Sequence, residues 1–254
     1  MNIKKILFYT AAVPAALLFA GCSTMSETLS PADISVDELQ RRKDMASDPE
    51  GRFARSKTYV MRQEISDESI FGSLEKKMLE LKYKHPDKVK CTVSSDGEPV
   101  SGYIINGSSA WTIDYKSRKV YPIAPQNMEQ LRNLLRINTP SSKIKDVFKN
   151  VKLEFCSTPE KDFYKLTCSN NEKNTFEIYI DANSYLTSRL RTTLHLPQGT
   201  VYSDSVMKSY SLYEGVRIAD ESVSQSDDSS QLQKVVSYKL DVPLADDEFD
   251  PPVL

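Results

Sequence analysis

The chain has 254 residues, of which 33 are basic and 35 acidic, and 39% are hydrophobic. A nearly neutral, well-mixed charge excludes nucleic acid, which calls for a basic stripe, and the hydrophobic fraction allows one large domain with a core of moderate size. Thirteen tyrosines against eight glycines fit β structure. His85 and His195 are far apart in sequence and no Cys-x-x-Cys pair is present, so there is no zinc signature and no metal or cofactor is expected.

In chain order, Lys4 and Lys5 precede an apolar run from Ile6 to Ala20, broken only by Thr10 and Pro14. The run is shorter than the roughly 20 apolar residues of a membrane span. It has the basic start and the length of a secretory signal. Leu18-Phe19-Ala20-Gly21-Cys22 resembles the lipobox of bacterial lipoproteins, with Phe19 where that family usually has Leu. The resemblance implies a signal peptide over residues 1–21 and a Cys22 that carries a diacylglycerol thioether and an acylated amino group. Two or more acyl chains anchor a protein stably where one is marginal. Ser23 follows, where Asp tends to retain enterobacterial lipoproteins in the inner membrane. The resemblance therefore implies a protein tethered to the outer membrane, facing the periplasm of a Gram-negative-type bacterium. Removing residues 1–21 takes away Lys4 and Lys5 and no acid, which moves the balance from 33 against 35 to 31 against 35.

Residues 22–34 are polar and contain Pro31, and read as the lipidated tether of a domain over residues 35–254. Ser35 with Glu38 has the spacing of a capping box. Val36, Leu39 and Met45 follow at helical spacing, which predicts a short helix over 35–46. From about Lys57 the period becomes two. Leu79, Leu81 and Tyr83 alternate with Glu80, Lys82 and Lys84, and the alternation resumes after His85-Pro86-Asp87 as Val89, Cys91 and Val93. Helix formers are abundant here, yet the pattern predicts two antiparallel strands. Asn106-Gly107 lies between two alternating runs and predicts a type I′ hairpin turn. A loop of those two residues pairs Ile104 with Ser109 and Gly102 with Trp111, so that Val100, Ile104, Trp111 and Ile113 share a face and Gly102 leaves room for the indole.

Residues 125–150 break the β pattern. Met128, Leu131, Leu134 and Leu135, then Ile144, Val147 and Phe148, predict two short amphipathic helices separated by Pro140. Strands then resume. Pairing Cys156 with Phe163 collects Val151, Leu153 and Phe155 on one face with Tyr164, Leu166 and Cys168. That register puts Cys156 and Cys168 on opposite faces, where a disulfide does not reach. Cys91, Cys156 and Cys168 are an odd set, so at least one is free or paired outside the domain. About five more strands complete the chain, with a polar hairpin tip near Asp227 and a loop from Pro243 onward. Asp181 and Asn183 lack the further ligands of a calcium loop and read as a hairpin turn.

Several stretches together resemble the LolA/LolB-like lipoprotein-sorting fold. They are "KHPDKVKCTV", "YIINGSSAWTIDYKSRKVYPI", the helical insert, "FEIYIDANSYLTSRLRTTL" and "VVSYKLDVPLADDEFDPP", over roughly residues 35–252. The resemblance implies a mainly β (α+β) fold, a strongly curved antiparallel sheet forming an open half-barrel with short helices over its mouth. It also implies a non-enzymatic, monomeric binder whose apolar groove takes acyl chains, a lipoprotein or a related amphiphile. A lipid-modified Cys22 matches the receptor-like arrangement rather than the soluble carrier. Groove candidates are Leu79, Leu81, Tyr83, Val100, Ile104, Trp111, Ile113, Phe176 and Ile178, and lid candidates are Leu131, Leu134 and Leu135. A first-strand arginine is thought to hold the lid in the carrier. Arg62 is the positional match, but its own setting reads as solvated. Ile70 and Phe71 are the candidates for the receptor's projecting apolar loop.

Physical reasoning leads to the same place. A long antiparallel sheet has an apolar face that must be covered, and residues 125–150 are few for a sheet of about eleven strands. The sheet must curl or stay partly open. The alternative is an interaction or sensing module of the same fold with a groove filled by its own side chains. A hydrolase is a distant third, since no Gly-x-Ser-x-Gly elbow is present.

Overall fold

The computed structural model describes residues 27–67, 76–125, 128, 131–132, 135, 143–170, 174–196, 199–226 and 229–253. Among them, fourteen strands form a single antiparallel sheet. In chain order these are β1 (Thr28–Pro31), β2 (Thr58–Asp67), β3 (Lys76–Lys84), β4 (Lys88–Ser95), β5 (Glu98–Asn106), β6 (Ser109–Asp114) and β7 (Lys119–Pro122). They continue as β8 (Asn150–Ser157), β9 (Asp162–Ser169), β10 (Thr175–Asp181), β11 (Thr187–Leu196), β12 (Gly199–Tyr213), β13 (Val216–Ser226) and β14 (Ser229–Leu240). The helices are α1 (Val36–Ser47), α2 (Arg52–Arg55) and α3 (Ile144–Val147), with a 3₁₀ turn at Asp247–Phe249. Pro125, Met128, Leu131, Arg132 and Leu135 are also helical.

Two meanders, β2 to β7 and β8 to β14, meet where β14 pairs with β2. β1 pairs with β8 at one edge and β7 lies at the other, so the sheet is not closed. It is strongly curled. Ile178 on β10 and Tyr103 on β5 are eight strands apart in the sheet, a separation of about 38 Å if flat at the ~4.8 Å strand spacing. They nevertheless line one cavity. Register shifts in β12 around Met207–Tyr210 and in β14 at Val235–Ser237 supply bending and added twist. Because β7 and β8 sit toward opposite edges, the chain between them must cross the open mouth. The helical residues of 125–135 and α3 lie on that crossing.

Pattern prevailed over propensity at β3, where Lys76–Lys84 is strand, paired to β4 through Lys84 and Lys88. The β8–β9 register places Cys156 opposite Phe163, as the apolar pattern requires. Cys91, Cys156 and Cys168 are all buried free thiols. Ser35 caps α1, its hydroxyl accepting from the Glu38 N–H at 3.2 Å. The Glu38 carboxylate turns outward to Arg41 and Arg42 rather than closing a reciprocal box.

Three expectations are corrected. The β5–β6 turn is shifted by one residue, with Gly107 and Ser108 as its loop, Asn106 opposite Ser109, and Ile104 opposite Trp111. Gly107 has φ +57° at the first central position, which suits a type II′ turn. On α1 the inward stripe is Leu39, Gln40 and Ser47, while Met45 is 58% exposed. Thr28–Pro31, in the stretch read as a tether, adds to the sheet edge, and Ala32 and Ile34 pack on the core. The ending is a loop with one 3₁₀ turn, and it also serves as a cover: Leu244 and Phe249 are buried against Ile104 and Ile113.

Candidate functional site

A cavity of about 270 Å³ lies between the inner face of the curled sheet and the helices above it. Its floor is apolar on two sides, with Leu79, Leu81, Cys91 and Tyr103 from β3 to β5 facing Ile178 and Leu190 from β10 and β11. Period two puts these side chains inward. Leu79 opposes Val93, Leu81 opposes Cys91, and Cys91 opposes Tyr103 across the ladders. Leu135, Ile144, Val147 and Phe148 form the roof.

The third wall is mixed. Ser205 of β12, Ser222 of β13 and Gln233 of β14 line it among Met207, Ile218, Val235 and Tyr238, beside Lys43 and Ser47 of α1 and Arg217 of β13. Behind them runs a buried belt in which the Ser224 hydroxyl donates to Ser205 Oγ at 2.8 Å and Gln63 donates to Gln233 Oε1 at 3.0 Å. Polar groups taken out of water must find such partners. Six side-chain atoms among the described residues do not, and two of them, Tyr103 Oη and Gln233 Nε2, belong to residues that line the cavity. Burial raises the Tyr103 phenol, and it pushes the Cys91 thiol beside it up to about 12. The cavity is therefore mostly apolar, and its polar groups are gathered on the β12–β14 and α1 side.

The roof is fastened at several points. The Arg132 guanidinium donates to the Gly107 carbonyl in the β5–β6 turn. The Ile144 N–H donates to Gln40 Oε1 at 3.2 Å, tying α3 to α1. Arg42 donates to Tyr185 Oη at 2.5 Å and lies 5.2 Å over its ring, tying α1 to the β10–β11 hairpin. Arg62 takes no part in this. It is exposed and pairs with Glu80 at 2.7 Å.

Of the groove candidates, Leu79, Leu81 and Ile178 line the cavity. Tyr83, Val100 and Phe176 belong to the same inner core without reaching the cavity. Tyr83 stacks on Tyr59 at 5.0 Å, and Phe176 tilts against Phe148 at 5.0 Å. Val100 is inward because it is the extra residue of a bulge between the Ser101–Val93 and Pro99–Ser94 pairs. Ile104, Trp111 and Ile113 lie on the other face. They share the outer side of the sheet with Lys90, opposite Ile104, and are covered by the C-terminal segment. Of the lid candidates, Leu135 lines the cavity and Leu131 is 2% exposed in the core. Leu134 lies outside the described residues, as do Cys22, Ile70 and Phe71.

These polar groups had a signal that apolar patterning passes over. Ser222, Ser224 and Ser226 recur at period two, and Lys43 and Ser47 follow Leu39 at four-residue steps.

No family model matches the chain, and no curated protein matches its sequence. Solved structures do match. A LolA superfamily protein from Nitrosomonas europaea superposes with a TM-score of 0.60 at 9% identity, covering 86% of this chain and 98% of that one. A DUF1329 family protein from Desulfovibrio piger gives 0.56 at 10%, covering 85% and 95%. A candidate outer membrane lipoprotein-sorting protein domain from Vibrio parahaemolyticus gives 0.55 at 11%, covering 85% and 97%. Similarity at that identity is a statement about fold, and it agrees with the open sheet and crossing helices. The chain has the open half-barrel fold of the LolA superfamily.

Proposed function

We propose that this chain is a membrane-anchored envelope lipoprotein that binds the acyl part of an amphiphile, a lipid or a lipoprotein, in its cavity without covalent chemistry. The observation that carries the reading is the cavity itself, mostly apolar with its polar groups on the β12–β14 and α1 side, roofed by the segment that crosses the half-barrel mouth. Apolar burial supplies affinity at about 0.8 kcal/mol per CH₂. The polar groups keep the ligand's head hydrated or hydrogen-bonded. The crossing segment, with Leu131 and Leu135, acts as the lid. The Nitrosomonas and Vibrio neighbours support an envelope setting and a role in lipoprotein sorting. The lipobox-like run ending at Cys22 supports a lipid anchor in the outer membrane, facing the periplasm. The anchored protein acts as a monomer.

A second reading, an interaction or sensing module of the same fold, is favoured by how far Met128, Leu131 and Phe148 already fill the inner face, each 9% exposed or less. Solvent extraction of the natively purified protein followed by mass spectrometry separates the two. A stoichiometric co-purifying acyl species supports binding. A lipid-free protein that also fails to take up added lipid supports the module.

A further inference from the structure

The cavity lining contains two cationic side chains, Lys43 and Arg217, and no carboxylate, in a chain whose acids outnumber its bases. Lys43 lies on the inward side of α1, and its side chain is 14% exposed. A lysine withdrawn from water is expected to hold a close carboxylate, because an unpaired buried ammonium costs several kcal/mol. Its carboxylate is Asp44, a long ion pair at 3.7 Å, whose Oδ1 also accepts from Gln40 at 2.7 Å. Burial pushes the Lys43 ammonium below its usual range, and Asp44 offsets only part of that. Arg217 donates to the Ala46 carbonyl at 2.7 Å, which fixes its guanidinium beside the last turn of α1.

Of the buried polar atoms without a partner on cavity-lining residues, the Gln233 amide nitrogen only donates and the Tyr103 hydroxyl can do so. A cavity with surplus donors and no acid fits a ligand head that only accepts. Its size sets the tail. About 270 Å³ is just under the ~300 Å³ where ligand pockets begin, which favours one acyl chain over the several of a lipidated N-terminus.

We propose that the occupant is a single-chain amphiphile with an anionic head, a carboxylate or a phosphate monoester, held at Lys43 and Arg217 where α1 meets β13, with its chain against Leu79, Leu81 and Ile178. This rests on the acyl-binding reading and narrows it.

The test is displacement of the neutral dye Nile red from the full chain carrying Cys22→Ser. The competitors are dodecanoate, dodecyl phosphate and dodecanol, the two anions below their micelle concentrations and the alcohol below its solubility limit. At least one anion is expected to displace at a concentration about tenfold lower than dodecanol, the scale of a charge-assisted hydrogen bond. The better of the two anions identifies the head. Lys43→Met is expected to remove most of that advantage, and an unchanged far-ultraviolet circular dichroism spectrum and thermal midpoint show that the variant is folded. Lys43→Arg is expected to keep the advantage, and Arg217→Gln to lose part of it. Equal displacement by all three compounds, or an anion preference that survives Lys43→Met, overturns the anionic head and leaves acyl binding intact. Failure of all three to displace overturns acyl binding and this inference together.

Discussion

Gly102 sits in the middle of β5, where a side chain would bring its Cβ to 2.5 Å from the Cys91 carbonyl oxygen. The residue is small because a neighbouring strand's backbone is close, not because Trp111 lies over it, since its partner across β6 is Ile113. Gly102→Ala is expected to cost about 1–3 kcal/mol through overpacking, read as a lower urea midpoint at unchanged slope. At the same scale, the interior holds more polar groups than hydrophobic patterning anticipates. Lys43, Ser205, Ser222 and Gln233 face the cavity from positions whose types read as solvent-facing. Arg62 reads as solvated in the sequence and is so in the fold. A polar residue type does not say which face of a curled sheet it occupies, so single residues are the least legible level here.

Among elements, the C-terminal segment is a loop that also serves as a cover. It crosses the outer face of β3–β6, with Phe249 fully buried and Leu244 8% exposed against Ile104 and Ile113, and partly buried Trp111 alongside. Its polar ties run to lysines that alternate outward along β3 and β4. Glu248 pairs with Lys82 at 2.6 Å, Asp246 pairs with Lys88 at 2.8 Å and Lys84 at 2.9 Å, and Lys84 also donates to the Leu244 carbonyl at 2.7 Å. Phe249→Ala is expected to cost about 3–5 kcal/mol and to red-shift the emission of Trp111, the only tryptophan. Asp246 also gives a pH dependence. Hydrogen bonds from Lys88 and Lys84 lower its pKa to about 2, against about 3.9 in an unfolded chain. The folded value is the lower one, so its contribution is complete above about pH 4 and is lost as pH falls toward 2. Asp246→Asn is expected to remove that acid-side change in Trp111 emission, and salt to weaken the tie in wild type, because Asp246 is 72% exposed. A red shift between pH 4 and 2 equally large in the variant would count against the assignment.

For the whole molecule, the proposed membrane anchor is Cys22, which precedes the described residues. Cys22→Ala is expected to move the protein from the membrane to the soluble periplasmic fraction with its thermal midpoint unchanged, measured by fractionation and melting. Retention in the membrane would place the anchor elsewhere. The β-rich class, most strand positions, the β3–β4 pairing, the β8–β9 register, the capped helix at Ser35 and the interruption at residues 125–150 are all legible in the chain alone. Each of these follows from local periodicity or from a turn a few residues long. Which apolar face is inner depends on the assembled fold. In Tyr103-Ile104-Ile105 both faces are apolar, and the choice was made by a bulge at Val100, by a turn at Gly107-Ser108 and by a C-terminal segment that covers Ile104 from more than a hundred residues away in sequence. The same long-range closure turned the serines of β12 and β13 and Lys43 of α1 toward one cavity. Curling brings together strands eight places apart in the sheet, a relation that no local period encodes.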